Sequence, residues 1–245
     1  MNRAIILAGG KGERLRPYTE DKPKAMIPVS GIPILSYQLH WLKEHGITKV
    51  AVSCGHFHKV IQDYFGNGKS HQVEIEYFVE DAPLGRGGAI KSVMRKLAPL
   101  HEGVVALNGD FITNLNLGEL IAFHNTHGAH ATVATVPLKC PYGVVEFESE
   151  VYIQKFREKP NLPIWINAGV YVFEPAIVEQ FPDVGDHESE AFPKLAGTGK
   201  LIGYKSNCFW RAIDTVKDIN EAGAELQKIL VSSLLRNDVE SAALS

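Results

Sequence analysis

Cysteine is scarce and scattered in this chain. Its three thiols, Cys54, Cys140 and Cys208, never stand in CxxC spacing, which excludes a disulfide framework and a thiolate zinc site and points to a reducing compartment. No apolar stretch approaches the roughly 18 residues of a membrane span, and the N-terminal apolar run breaks at Gly9, so neither a bilayer anchor nor a secretory leader is expected. A GxxxxGK[ST] run is absent, which excludes a Walker loop. The formal net charge is −3 and no long basic stripe occurs, so nucleic acid is not an expected partner. Internal repeats, low-complexity tracts and hexapeptide patterns are also lacking, which excludes a solenoid or an appended β-helix. A soluble, cytoplasmic protein is the expectation.

What is present is ordinary globular material. Hydrophobic residues make up 45% of the 245 and charged residues 22%, enough for one well-buried core and a single domain spanning 1–245. Charge is unevenly placed. Residues 1–24 carry six basic side chains against three acidic ones, which suits a small anionic ligand, with a merely solvated basic face as the alternative.

Apolar periodicity predicts alternating strands and helices over the first 110 residues. Strands are expected at 4–8, 50–54, 73–79 and 104–107, and helices at 34–45, closing at 63–65, and at 88–97. Leu35, Leu39 and Leu42 fall on one helical face, with Gly46 as a stop. This alternation implies parallel pairing, with ligands at the C-terminal strand ends. Beyond it, Ala131–Val136, Val144–Phe147, Val151–Phe156 and Ile166–Phe173 read as strands with few helices between them, so antiparallel additions to a mixed sheet are expected. A last helix is expected at 218–235, with Ile219, Ala222, Leu226 and Ile229 on its packing face.

The first strand ends in Leu7-Ala8-Gly9-Gly10-Lys11-Gly12-Glu13-Arg14-Leu15, and Pro23-Lys24 follows shortly after. A buried strand that opens into a glycine-rich turn presents backbone N–H groups to anions. Leu15 fills the third glycine position of a dinucleotide fingerprint, which weakens a nicotinamide oxidoreductase reading. The remaining features, three glycines with Arg14 and Lys24, suit a triphosphate. Lys11, Arg16 and Lys22 are weaker candidates.

Taken together, Leu7 to Leu35 resemble the opening motif of the sugar-phosphate nucleotidyltransferases, LAGGxGxRLxPxTxxxPKxMxPVxxxPIL. The resemblance continues through Glu80–Ile90 (EDAPLGRGGAI), Asn108-Gly109-Asp110, Glu158-Lys159-Pro160 and Asn167-Ala168-Gly169-Val170, and so covers nearly the whole chain. It implies a Rossmann-like three-layer αβα sandwich around a mixed, mostly parallel sheet, with a nucleotide-binding half at about 1–110 and a sugar-phosphate half at about 111–220. It also implies the reaction: a sugar 1-phosphate attacks the α-phosphorus of an NTP, giving an NDP-sugar and pyrophosphate. Self-association is left open.

On this resemblance Arg14, Lys24 and Asp110 are catalytic. Leu7, Ala8, Gly9, Gly10, Gly12, Glu80, Pro83, Gly85 and Gly109 hold the nucleotide, and Gly143, Glu158, Lys159 and Asn167 hold the sugar phosphate. A solvated Glu158-Lys159 pair is the plainer alternative. Asp110 is also a Mg2+ ligand, and Mg2+ prefers one or two carboxylates with phosphate oxygens and water. The family's second acid lies in a WxDxGT-like motif, where this chain has Trp210-Arg211-Ala212-Ile213-Asp214. Ala212 takes the acidic position, and the segment instead resembles the WxPMDTLRD form of glucose-1-phosphate cytidylyltransferases, which assigns the metal role to Asp214. The alternative for Asp214 is helix capping, and Asp218 reads as a capping residue.

Glu80 stands where thymidylyltransferases of the family carry glutamine. An ionised carboxylate only accepts hydrogen bonds, which suits the amino and imino donors of guanine or the amino group of cytosine and repels the acceptors of uracil and thymine. GTP or CTP is therefore expected over UTP or dTTP, with a solvated Glu80 as the alternative. PLGRGGAI resembles the PLGTGGAI of mannose- and heptose-1-phosphate guanylyltransferases, with Arg86 for threonine, while WRAIDTVKD and Val52–Gly55 lean toward cytidylyltransferases. A non-catalytic NDP-sugar-binding regulatory paralogue is the competing reading, prompted by Ala212. His124, His127 and His130 read as ordinary histidines, because Gly128 breaks their register.

Overall fold

Ala4 and Ile6 point to one face of the first strand and Ile5 to the other, and all three are completely buried. A strand of this kind must lie at the centre of a sheet covered on both faces. A computed structural model describes residues 1–228 and places it there. Strands β1 (Arg3–Leu7), β2 (Pro28–Val29) and β3 (Ile32–Pro33) lead to α1 (Ile34–Glu44). Then β4 (Lys49–Cys54), α2 (His58–Phe65), β5 (Glu74–Val79), α3 (Gly85–Lys96) and β6 (Val104–Asn108) continue the alternation. They are followed by β7 (Phe111–Thr113), α4 (Leu117–His127), β8 (Ala131–Lys139), β9 (Val144–Phe147), β10 (Ile153–Arg157) and β11 (Asn161–Phe173). The short helices α5 (His187–Glu190) and α6 (Phe192–Ala196) precede β12 (Leu201–Lys205) and β13 (Trp210–Ala212).

The central sheet has seven strands in the order β12-β8-β11-β6-β1-β4-β5. β1 pairs in parallel with β4 and β6, β4 with β5, and β8 with β12, whereas β11 runs antiparallel to both β6 and β8. The sheet is thus mixed and mostly parallel. One face packs on α1, α2 and α4 through residues such as Leu39, Ile61 and Leu120, and the other on α3 and α6 through Ile90, Val93 and Leu195. This is the three-layer αβα architecture. No described helix is long and apolar enough to cross a membrane.

The second half departs from the strand expectations in several respects. β9 and β10 pair only with each other and stand outside the central sheet, so β11 alone is the antiparallel insertion. β10 begins at Ile153, with Val151 and Tyr152 in the preceding turn. Period-two alternation marks a half-buried strand but does not name its partner. β13 (Trp210–Ala212) escaped notice because three residues show no period, and β12 because Gly203 interrupts its apolar run.

Two local devices set the end of the chain beside the glycine loop. Leu15, Ile27, Ile112, Ile213 and Ala222 form a small separate core that joins the loop to β7 and to the helix at 216–228. Thr215 and Asp218 bond reciprocally, the Asp218 carboxylate accepting from the Thr215 N–H at 2.8 Å and the Thr215 hydroxyl from the Asp218 N–H at 3.3 Å, which caps that helix. Thr215 is the N-cap and Asp218, at the third helical position, is its capping partner, so Asp218 does take part in the capping its position suggested. Residues 229–235 of the expected final helix, including Ile229, lie outside the described residues.

Candidate active site

β1 and β6 lie side by side and both end at the C-terminal edge of the sheet, so the glycine loop after Leu7 and the Asn108-Gly109-Asp110 turn open onto one cleft. Gly109 is required there for close approach: its N–H donates to the Leu7 carbonyl at 2.9 Å, and a Cβ would stand 2.5 Å from that same oxygen. Gly12 is left-handed at φ 64°, and the Thr19 hydroxyl donates to its carbonyl at 2.9 Å, which folds the loop back over Lys24. The cleft has a volume of about 940 Å³.

Lys24 is the centre of the site. Its side chain is 11% exposed, and its ammonium donates to Asp110 Oδ2 and to Asp214 Oδ1, each at 2.8 Å. Arg14 Nη2 donates to the same Asp214 Oδ1 at 2.7 Å. Asp214 reaches this point because the Ile213 N–H donates to the Asp110 carbonyl at 2.9 Å, which holds the residues after β13 against the end of β6. Asp214 does not cap the helix. Four side chains from four separate segments therefore form one ion cluster, with formal charges that cancel.

Glu80 lies at the end of β5 beside Gly9. Its Oε1 accepts from the Ser53 hydroxyl at 2.9 Å and its Oε2 from the Leu84 N–H at 3.1 Å, so the carboxylate is anchored at the cleft wall rather than solvated. Cys54, next to it, is buried, and burial together with the Glu80 charge pushes its thiol up to about 11. A thiol held protonated at neutral pH is no nucleophile.

Leu7, Ala8, Gly9, Gly10, Lys24, Glu80, Pro83, Gly85, Gly109 and Asp110 all line the cleft, and Lys11 and Arg16 do as well. Gly12, Arg14 and Asp214 adjoin it through Lys24 and the loop. Gly143, Glu158, Lys159 and Asn167 do not line it. Glu158 and Lys159 are exposed after β10, with Lys159 Nζ 3.8 Å from Glu158 Oε1. The Asn167 amide is engaged within the protein, donating to Glu188 Oε1 at 2.9 Å and to the Tyr171 hydroxyl at 3.0 Å.

Glu188 was not singled out in the sequence. Its Oε1 also accepts from the Tyr171 hydroxyl at 2.6 Å and from Arg86 Nη1 at 2.9 Å, which links the cleft wall to Asn167. Gly55, His56, Phe57 and His58 were likewise overlooked as cleft residues. Their position directly after β4, at the same sheet edge as the glycine loop, was the available signal.

Asp110 and Asp214 suit a divalent cation: both are partly exposed, and a single ammonium already bridges them. Among the described residues no cluster of three or more His, Cys, Asp or Glu side chains that could hold a metal ion occurs.

The Nucleotidyl transferase family model matches residues 3–229. The chain belongs to this family. Among its members, the D-glycero-alpha-D-manno-heptose 1-phosphate guanylyltransferase of Aneurinibacillus thermoaerophilus is 35% identical over 91% of this chain and 98% of its own length. The mannose-1-phosphate guanylyltransferase of Mycobacterium tuberculosis is 34% identical over 94% of this chain. The chain spans 66% of that protein's length and 60% of a UTP–glucose-1-phosphate uridylyltransferase of Synechocystis, also 34% identical over 88% of this chain. The crystal structure of HddC from Yersinia pseudotuberculosis complexed with GMP-PN superposes with a TM-score of 0.73 at 25% identity, covering 92% of this chain and 100% of that one.

Proposed function

We propose that the protein transfers a nucleotidyl group from an NTP to a sugar 1-phosphate in a Mg2+-dependent reaction, with GTP or CTP preferred over UTP or dTTP. The observation that carries this reading is the placement of Lys24 between Asp110 and Asp214 at the mouth of the glycine-loop cleft. The family and the guanylyltransferase relatives support it.

In this reading the loop N–H groups from Gly9 to Gly12 bind the triphosphate, and Lys24 and Arg14 neutralise charge around the α-phosphorus. A phosphate monoester has its second pKa near about 6, so the sugar 1-phosphate is already a dianion at neutral pH and needs no general base. A sugar-phosphate oxygen bonds to the α-phosphorus, and the bond from that phosphorus to the β-bridging oxygen breaks, releasing pyrophosphate. The residues align the two phosphates and balance their charge. Asp110 and Asp214 are the residues that would hold Mg2+, which would supply positive charge to the triphosphate. The ion cluster alone has no net charge to offer, and with a divalent cation on the two carboxylates Lys24 and Arg14 would be available to phosphate.

Glu80 is the base-reading acceptor. Two of its roughly four lone-pair sites serve Ser53 and Leu84, which leaves capacity for the donors of guanine or cytosine. Gly143, Glu158, Lys159 and Asn167 form the sugar-phosphate side, and the enzyme works in the cytoplasm, where NTPs are made. The shared Lys24 contact of Asp110 and Asp214 supports an active enzyme over the binding-only paralogue that Ala212 prompts. The test is pyrophosphate release by Asp110→Asn. Turnover is expected to fall about 100-fold or more with the melting temperature retained; wild-type turnover in that variant overturns the assignment.

A further inference from the structure

The cleft wall beside Glu80 carries an aromatic pair that the packing of the fold does not use. β4 lies between β1 and β5 in the sheet, so the segment that follows it, Gly55–His58, stands between the Gly9 turn and Glu80. These three segments converge closely: a Cβ on Gly9 would lie 3.4 Å from Glu80 Oε1 and 3.6 Å from the Gly55 nitrogen. Next along the chain, the ring centroids of His56 and Phe57 are 4.0 Å apart, and both residues line the cleft. Among the described residues Phe57 belongs to none of the three hydrophobic cores.

The backbone at Phe57 is unusual too. It is left-handed at φ 62° and ψ 20°, a conformation that a bulky L-residue adopts only under strain. Phe57 is also the N-cap of α2, where serine, asparagine or glycine would serve the helix better, and its side chain caps nothing. The turn is held on both sides, the His58 N–H donating to the Gly55 carbonyl at 3.1 Å and the Val60 N–H to the Phe57 carbonyl at 3.0 Å. Neither packing nor capping accounts for an aromatic ring at this place, whereas a flat ligand in the cleft does.

We propose that the Phe57 ring, with His56 beside it, is the platform on which the base of the NTP stacks, and that it selects GTP over CTP. This rests on the nucleotidyl-transfer reading above and narrows it. Glu80 accepts donors at the edge of the base, which guanine and cytosine both offer, so it does not separate the two. Stacking acts on the face instead. A bicyclic purine covers more of an aromatic ring than a single pyrimidine does, and one base stacked on a side chain is worth about tenfold or more in affinity.

Titration calorimetry with GTP, CTP and inorganic tripolyphosphate, each with Mg2+ and without sugar phosphate, tests this on the wild type, Phe57→Gly and Phe57→Tyr. Glycine keeps the left-handed backbone without its strain and removes only the ring. The wild type is expected to bind GTP more tightly than CTP. Phe57→Gly is expected to lose about tenfold in GTP affinity, less in CTP affinity and nothing for tripolyphosphate, and Phe57→Tyr to bind GTP within about twofold of the wild type. Unchanged GTP affinity in Phe57→Gly, an equal loss for all three ligands, or a wild type that prefers CTP overturns this proposal alone. A wild type that binds tripolyphosphate but no NTP overturns the nucleotidyl-transfer reading along with it, so the two failures are distinct.

Discussion

The Lys24 ammonium and the Asp214 carboxylate, 190 positions apart in the chain, meet at 2.8 Å. Asp110 reaches the same nitrogen from the other side, so the cation stands between two acids that would otherwise repel. The Lys24 side chain is only 11% exposed, which places that electrostatic balance where solvent screens it poorly.

Removing the cation therefore separates its two roles. Lys24→Met is expected to lower kcat for pyrophosphate release about 100-fold or more, the cost of losing one donor at developing charge. Mg2+ affinity is expected to hold or rise in the variant, because the two carboxylates lose their competitor. Steady-state kinetics across a magnesium titration check both points. A Lys24→Met enzyme with unchanged kcat would remove Lys24 from the reaction.

Glu80 makes base choice testable by one atom. Glu80→Gln keeps one acceptor and adds a donor, so the ratio of kcat/KM for GTP or CTP to that for UTP is expected to fall about tenfold, the worth of one exchanged hydrogen bond. The readout is pyrophosphate release with each NTP at a saturating sugar phosphate. An unchanged ratio would show that Glu80 serves only Ser53 and Leu84.

His187 is completely buried among Tyr171, Phe173, Phe181 and Phe192, and neither ring nitrogen has a hydrogen-bond partner. Burial lowers its pKa to about 4, against a weaker opposing pull from Asp186. The folded state resists protonation while the unfolded chain accepts a proton near the ordinary value of 6.5. This contribution to stability is complete above pH 6.5, declines as pH falls toward 4, and is flat below that. The full decline is on the order of 3 kcal/mol. His187→Leu is expected to remove that decline and, by deleting two unpaired polar atoms, to gain about 1 kcal/mol at neutral pH. Urea unfolding of both proteins from pH 7.5 to 4.5 checks it. Parallel stability curves would contradict the account.

The parts of this molecule legible in its sequence were local ones. The apolar run Ala4–Ile6, the Leu35/Leu39/Leu42 face and the Gly46 stop each encode an element within a few residues, and the glycine loop encodes its own turn. Contacts between distant segments were legible only where the family motifs joined them: the resemblance grouped Arg14, Lys24, Asp110 and Asp214, whereas nothing near Asn167 announces Glu188, because that contact follows from the packing of α5 against β11. The β9–β10 alternation was visible, while its separation from the central sheet was not. His187 shows the limit most plainly, since a histidine in a polar stretch gives no sign of an aromatic enclosure.

The central claim is nucleotidyl transfer at the Lys24–Asp110–Asp214 cluster, and pyrophosphate release over a matrix of NTPs and hexose, heptose and hexosamine 1-phosphates tests it most directly. The account predicts pyrophosphate formation with at least one pair, fastest with GTP or CTP, abolished by chelating Mg2+ and restored by adding it back. No pyrophosphate above blank with any pair, or turnover indifferent to Mg2+, would contradict it.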